Sequence, residues 1–195
     1  MILRSTKGSP LTIAEMDGNL TEFDTRLAKP DKGRVGWADY NDATTAITPI
    51  ATTGGTTWYQ ITNDAAGALT NEDYLPEGVT SLWDSTNDQF DFSELNIGDQ
   101  VIIRATMVLT TSANNQEVDF RLVFGIGDPS EYSLQIAHLS YKVAGEYPVA
   151  ISFPFHIGNT FTRDNPAELQ VRSDGNLSIE VEGFYIPITL RGEVA

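Results

Sequence analysis

Two histidines, 27 carboxylates and no cysteine define the chemistry open to this chain of 195 residues. Without cysteine there are no disulfides, thiolate metal sites or cysteine nucleophiles, and the fold must hold without covalent staples whatever the redox compartment. His138 and His156 fall in predicted strands among apolar residues, with neither a His-x-x-x-His spacing nor a carboxylate at ligand spacing, and read as structural histidines. No G-x-S-x-G elbow, phosphate-binding loop or H-E-x-x-H helix occurs, and Gly125-Ile126-Gly127 reads as a loop between strands. Asp84 to Asp91, DSTNDQFD, is rich enough in oxygen to hold a hard cation such as calcium. It lacks the glycine and glutamate of an EF-hand loop, so a polar turn with local Asx-type bonds is the competing reading. A carboxylate pair for glycoside hydrolysis is available in so acidic a chain, but no motif marks one. The expectation is a protein that is not an enzyme and carries no metal or cofactor. Trp58, Tyr74 and Trp83 are open to two readings, as platforms for sugar rings or as core residues.

The elements that position these residues begin with a helix. Thr12 and Glu15 have the T-x-x-E spacing of a capping box, in which the threonine hydroxyl accepts from the amide three residues on and the glutamate reaches back to the cap. The helix is therefore expected to start at Ile13, with Leu11 and Met16 placed as a hydrophobic staple, and to end at or before Lys29 because Pro30 follows. Ile13, Met16, Leu20, Phe23 and Leu27 recur at heptad spacings, a narrow apolar seam. A helix of about 16 residues is marginal alone in water, and Gly18 weakens it by a further ~1 kcal/mol relative to alanine. The seam therefore needs a partner, either the chain's own globular part or a parallel bundle of identical helices.

The segment containing this helix start resembles a known one. Lys7, Gly8, Ser9, Pro10, Leu11, Thr12, Glu15, Met16, Asp17, Asn19 and Leu20 spell K-G-S-P-L-T-x-x-E-M-D-x-N-L. That string is similar to a segment near the N-terminus of many tailed-bacteriophage virion proteins, fibres and related appendages. The resemblance implies a homotrimeric structural protein, with the N-terminal arm anchoring it to the major capsid protein or another virion protein. Its location would be the virion, assembled in the host cytoplasm. Two jobs remain open under it: a capsid decoration or cement protein or short head fibre, and a tail fibre or spike tip that binds a host-surface receptor or glycan.

Charge narrows the partners. Residues 1–34 carry six basic side chains against five acidic, while residues 35–195 carry six against twenty-two. No Lys or Arg stands between Arg34 and Arg104, which leaves no electrostatic footprint for a phosphate backbone, so neither nucleic acid nor an anionic membrane is expected as a partner. No apolar run reaches the length of a membrane-spanning helix, and Met1 to Arg4 is too short for a signal peptide, so synthesis in a cytoplasm is expected.

After Pro30 the pattern changes to strands. Two regions follow, an arm and helical stalk over 1–34 and a β-domain over 35–195. Strands are expected at 44–50, 56–62, 100–111, 117–125, 132–141, 147–155, 168–172 and 177–190, with Tyr74, Leu75 and Val79 as inward anchors of the loop before 100. The turns at 112–116 and 173–176 read as hairpins, the latter through its Asp174-Gly175 pair. Gly183 reads as a bulge after which Phe184, Ile186, Ile188 and Leu190 take over the inner face. The fold class is thus mainly β, an antiparallel, jelly-roll-like sandwich behind a short N-terminal helix or coiled-coil stalk.

Overall fold

The computed structural model describes residues 12, 14–17, 19 and 33–191. Contacts divide the chain between Gly33 and Arg34 into two units. In the first, residues 14–17 and 19 are helical, and the Met16 amide donates to the Thr12 carbonyl at 3.0 Å. The second unit is the β-domain. Its strands, in chain order, are β1 (Val35–Asn41), β2 (Ile50–Thr52), β3 (Tyr59–Gln60), β4 (Trp83–Asp84), β5 (Gln89–Phe90), β6 (Gln100–Thr111), β7 (Gln116–Phe124), β8 (Tyr132–Tyr141), β9 (Gly145–His156), β10 (Ala167–Ser173) and β11 (Leu177–Thr189).

They form two antiparallel sheets. The first runs β1-β11-β6-β9 with β2 also on β11, and the second runs β4-β5-β10-β7-β8 with β3 also on β10. Strand partners nest: β1 pairs with β11, β5 with β10, β6 with β9 and β7 with β8. A long antiparallel ribbon wrapped around a core produces this order, and it defines the sandwich as a jelly roll.

Period-2 alternation explains why these segments became strands. In β6, Val101, Ile103, Ala105, Met107 and Leu109 are buried while the residues between them face out. In β7, Val118, Phe120, Leu122 and Phe124 point inward, and Asp119 and Arg121 point away. Phe90, Phe92, Phe120, Phe124 and Phe184 are fully buried, each contributing about 1.5–3 kcal/mol of transfer free energy. Register slips between Val181 and Gly183, so Leu177, Ile179 and Val181 face the core before the bulge, and Phe184, Ile186 and Ile188 after it.

Three sequence expectations are corrected. Residues 44–50 and 56–62 contribute only β2 and β3; between β1 and β2 the chain turns instead, because Asp42 and Asp64 capture amides that a strand would pair. The Asp64 amide donates to the Asp42 carboxylate and the Ala43 amide to that of Asp64, both at 2.9 Å. The turns at 112–116 and 173–176 are not hairpins but crossings between sheets, since β6 and β11 lie in the first sheet and β7 and β10 in the second. Both crossings close on one buried side chain. Gln116 accepts from the Ser112 and Ala113 amides at 3.0 and 3.1 Å and donates to Ser173 Oγ at 2.8 Å and the Asn176 carbonyl at 3.0 Å. Gly175 is needed there because a Cβ would stand 2.7 Å from Gln116 Oε1. Finally, a short helix, Thr160–Asp164, joins β9 to β10, capped by Asn159, whose side chain accepts from the Thr162 amide at 2.9 Å.

The two long sides of the sandwich differ. Along β1 and β4, residues 42–99 fold over the opening and bury Ile61, Leu75, Val79, Leu82 and Leu95. Tyr40 locks this cover: its hydroxyl donates to Glu72 at 2.7 Å and accepts from the Leu82 amide at 2.8 Å, and its carbonyl accepts from Asn63 Nδ2 at 2.8 Å. Along β8 and β9 no such cover exists among the described residues, and most inward side chains of both strands are only half-buried.

Candidate functional site

At the N-terminal segment the capping box is closed. Thr12 donates its amide to Glu15 Oε2 at 2.7 Å, and the Glu15 amide donates to Thr12 Oγ1 at 3.3 Å. Of the apolar seam, Met16 is described and exposed, whereas Ile13, Leu20, Phe23 and Leu27 lie outside the described residues. Of the anchor motif, Thr12, Glu15, Asp17 and Asn19 are described, and Lys7, Gly8, Ser9, Pro10 and Leu11 lie outside.

In the β-domain, charged, amide and aromatic side chains converge on the outer face of the second sheet. Register sets two rows there. Arg172, Asp119 and His138 stand opposite one another across β10, β7 and β8, and Gln170, Arg121 and Gln135 form the next row. A bulge between Phe120 and Arg121 makes the first row possible; a regular ladder continued from the Arg121–Gln135 pair would set Ala137, not His138, opposite Asp119.

Hydrogen bonds form one chain through each row, and Gln135 Nε2 donates from the second row to Asp119 Oδ1 at 3.3 Å. Gln89 and Gln170 donate to the two oxygens of Glu168 at 3.0 and 2.8 Å, and Arg121 donates from Nε and Nη2 to Gln170 Oε1 at 2.9 and 2.7 Å. Arg172 Nε donates to Asp119 Oδ2 at 3.0 Å, and His138 Nδ1 lies 2.8 Å from Asp119 Oδ1. Trp58 bridges the rows, with the Arg121 guanidinium carbon 4.3 Å and that of Arg172 4.7 Å from its ring centre.

The electrostatics follow from these contacts. Partial burial pulls the Asp119 carboxyl upward, but the hydrogen bonds from His138 and Arg172, and their charges, hold it below its usual value. The bond to Asp119 raises His138 above the ordinary imidazole value. Burial lowers the Arg121 guanidinium. The network sets guanidinium, amide, carboxylate and imidazole groups around one indole ring.

Other sequence candidates are placed as follows. Trp83 is a core residue, edge-on to Phe90 and Phe184, with its indole N–H donating to the Asn63 carbonyl at 2.9 Å. Tyr74 is exposed rather than inward, and stacks on Trp37 at 4.7 Å. Trp37 also meets Tyr185 at 5.6 Å, beside a pocket of about 370 Å³ between Asp39, Arg104, Glu182 and Tyr185 on the outer face of the first sheet. Asp84 accepts from the amides of Thr86 and Asn87, Asp88 from that of Asn63, and Asp91 from that of Ser93, so each of these carboxylates holds a backbone amide. His138 has the carboxylate partner that sequence spacing did not show, because Asp119 lies across a strand pair. His156 ends β9, exposed at the rim of the open side.

No protein-family model and no curated protein matches the chain. Among solved structures it is similar to infectious bursal disease virus, Gx strain, with 11% identity and a TM-score of 0.43 over 82% of this chain. The match covers 34% of that chain, so the present sequence spans about a third of its length. It is also similar to Eiger TNF from S. frugiperda, with 11% identity and a TM-score of 0.42 over 84% of this chain and 97% of that one. The PRD1 vertex protein P5 matches with 12% identity and a TM-score of 0.38 over 80% and 96%. Likenesses of this size carry no argument about function.

Proposed function

We propose that the chain is a non-enzymatic structural protein of a tailed-phage virion. In this reading it is a homotrimeric capsid decoration or cement protein, or a short head fibre, attached to the major capsid protein or another virion protein through its N-terminal arm. The observation that carries this reading is the closed Thr12–Glu15 capping box inside the phage-like segment, in a unit separate from the jelly roll. An acidic projecting body also suits a dense array of identical copies, since like charge keeps neighbours apart. The alternative, a tail fibre or spike tip that binds a host-surface receptor or glycan, is favoured by the Trp58 array, where an aromatic ring lies among amide and guanidinium donors.

Immunogold microscopy of virions with an antibody to residues 35–195 tests both. Gold on the head supports decoration, gold on the tail supports the alternative, and label on neither overturns the virion reading.

A further inference from the structure

Fourteen partly buried hydrophobic residues pack against the core, and nine of them lie on β8 and β9. Leu134, Ile136 and Leu139 of β8 and Val149, Phe153 and Phe155 of β9 point into the sandwich but are left half-covered. Val143, in the connection between these strands, is 62% exposed. We propose that this open side is the contact between copies of the chain, with β8 and β9 of one protomer packed on a second copy. The proposal rests on the homo-oligomer of the functional reading and names the surface that makes it.

Charge argues for a second copy as the occupant. Residues 132–156 contain one acid, Glu146, and one base, Lys142, in a body with twenty-two acids against six bases. Two β-domains that met on the acidic remainder of their surface would bring like charges together, whereas here they meet on neutral surface. Size agrees. Twelve residues at about 3.4 Å each, with sheets about 10 Å apart, give a strip of roughly 400 Å². That is within the range of patches that mark interaction sites, and about half of what each partner buries in a standard complex, the flanking residues supplying the rest. Symmetry completes the case, because a closed ring of identical chains covers the strip on every member at once.

The contact is made by side chains, not by strand addition. Pro148 and Pro154 are six residues apart, so their nitrogens point to one edge, and the unbroken ladder from β9 to β6 makes that the outer edge. Two amide donors that a joining strand would need are therefore missing. At one end of the strip, between Tyr132, Leu134, Phe155 and His156, a pocket of about 410 Å³ offers a seat for a neighbour's side chain.

The test is sedimentation velocity of the full-length chain across a dilution series, with Leu134→Glu and Phe153→Glu as edge variants and Ile47→Glu, at a position 84% exposed elsewhere, as the control. The wild type and the control are expected to associate with the same midpoint, and each edge variant is expected to dissociate at a concentration at least about tenfold higher. An associated wild type with unchanged edge-variant midpoints overturns the edge and leaves the oligomer standing. A wild type that stays single at all concentrations overturns both. Should circular dichroism show an edge variant unfolded, hydrogen exchange of the wild type decides: slower exchange of residues 132–156 in the associated form is expected, and equal exchange in both forms refutes the proposal.

Discussion

Among the described residues, one side of this sandwich is sealed by its own chain and the other is not. On the sealed side, residues 42–99 wrap across β1 and β4, and Trp83, Phe90 and Phe184 interlock with ring centroids 4.8 to 5.3 Å apart. On the open side, Phe153 and Phe155 stack at 5.9 Å yet keep part of their surface toward solvent. The two strands of the open side have ten and twelve residues and those of the sealed side seven and two, so length of strand does not measure completeness of core. A sheet of two-residue strands can be well sealed when loops carry the apolar residues, and long regular strands can still lack a partner.

The largest effect that separates the two sides is expected from truncating phenylalanine. Phe90→Ala should cost about 3–5 kcal/mol in urea unfolding, since a fully buried ring leaves a cavity. Phe153→Ala should cost less than half of that in the dissociated chain, and its cost should grow with protein concentration. Equal costs at all concentrations would erase the distinction.

Tyr40→Phe probes the lock on the sealed side and should cost about 1–2 kcal/mol, because it removes two hydrogen bonds and strands the Leu82 amide. An unchanged urea midpoint would show that the cover holds by apolar contact alone.

Pro154→Val, on the open side, should shift stability by no more than about 0.5 kcal/mol. It restores an outward donor on an edge strand, so light scattering and thioflavin fluorescence should rise on incubation. If they stay flat, strand addition is blocked by something other than proline.

The smallest effect concerns the outward face of β8. A proton NMR titration should place the His138 midpoint above 6.5, and Asp119→Asn should bring it back toward that value. The raised histidine contributes stability fully present below about pH 6.5 and lost as pH rises through its folded midpoint. The depressed Asp119 contributes stability present above its ordinary 3.8 and lost as pH falls through its folded midpoint. The pair therefore stabilises most between those two ordinary values, and the window should vanish in Asp119→Asn.

The long strands were legible in the sequence. The strands at 100–111 and 132–141 are marked by alternation strong enough to fix their ends, and Gly183 marks its bulge because alternation changes phase there. The sealed side was not legible to the same degree. The threonine-rich run before Gly54 looks like a strand by propensity, but Asp42 and Asp64 take the amides of Thr45 and Ala43 into a turn, and β-branched composition says nothing about that competition. Asp174-Gly175 marks the end of a strand, but neither residue takes the left-handed conformation of a hairpin turn, and turn chemistry does not say which sheet the next strand joins. The His138–Asp119 pair depends on a bulge in β7–β8 pairing, and register across strands leaves no trace in linear spacing. The short helix at Thr160 had a signal in Asn159 ahead of Thr162, too brief to raise a helical period.

The nesting of strand partners also orders events in time. β11 pairs with β1, β2 and β6, so the strand at the centre of the first sheet is the last one of the sandwich to leave the ribosome. Until it arrives, β1 has no neighbour along its length and β6 has only β9, and β1 waits for a partner more than a hundred residues away in the chain. The jelly roll therefore cannot complete until residues 177–189 are available, and a nascent chain paused short of residue 177 should be held by chaperones as an unfinished sheet.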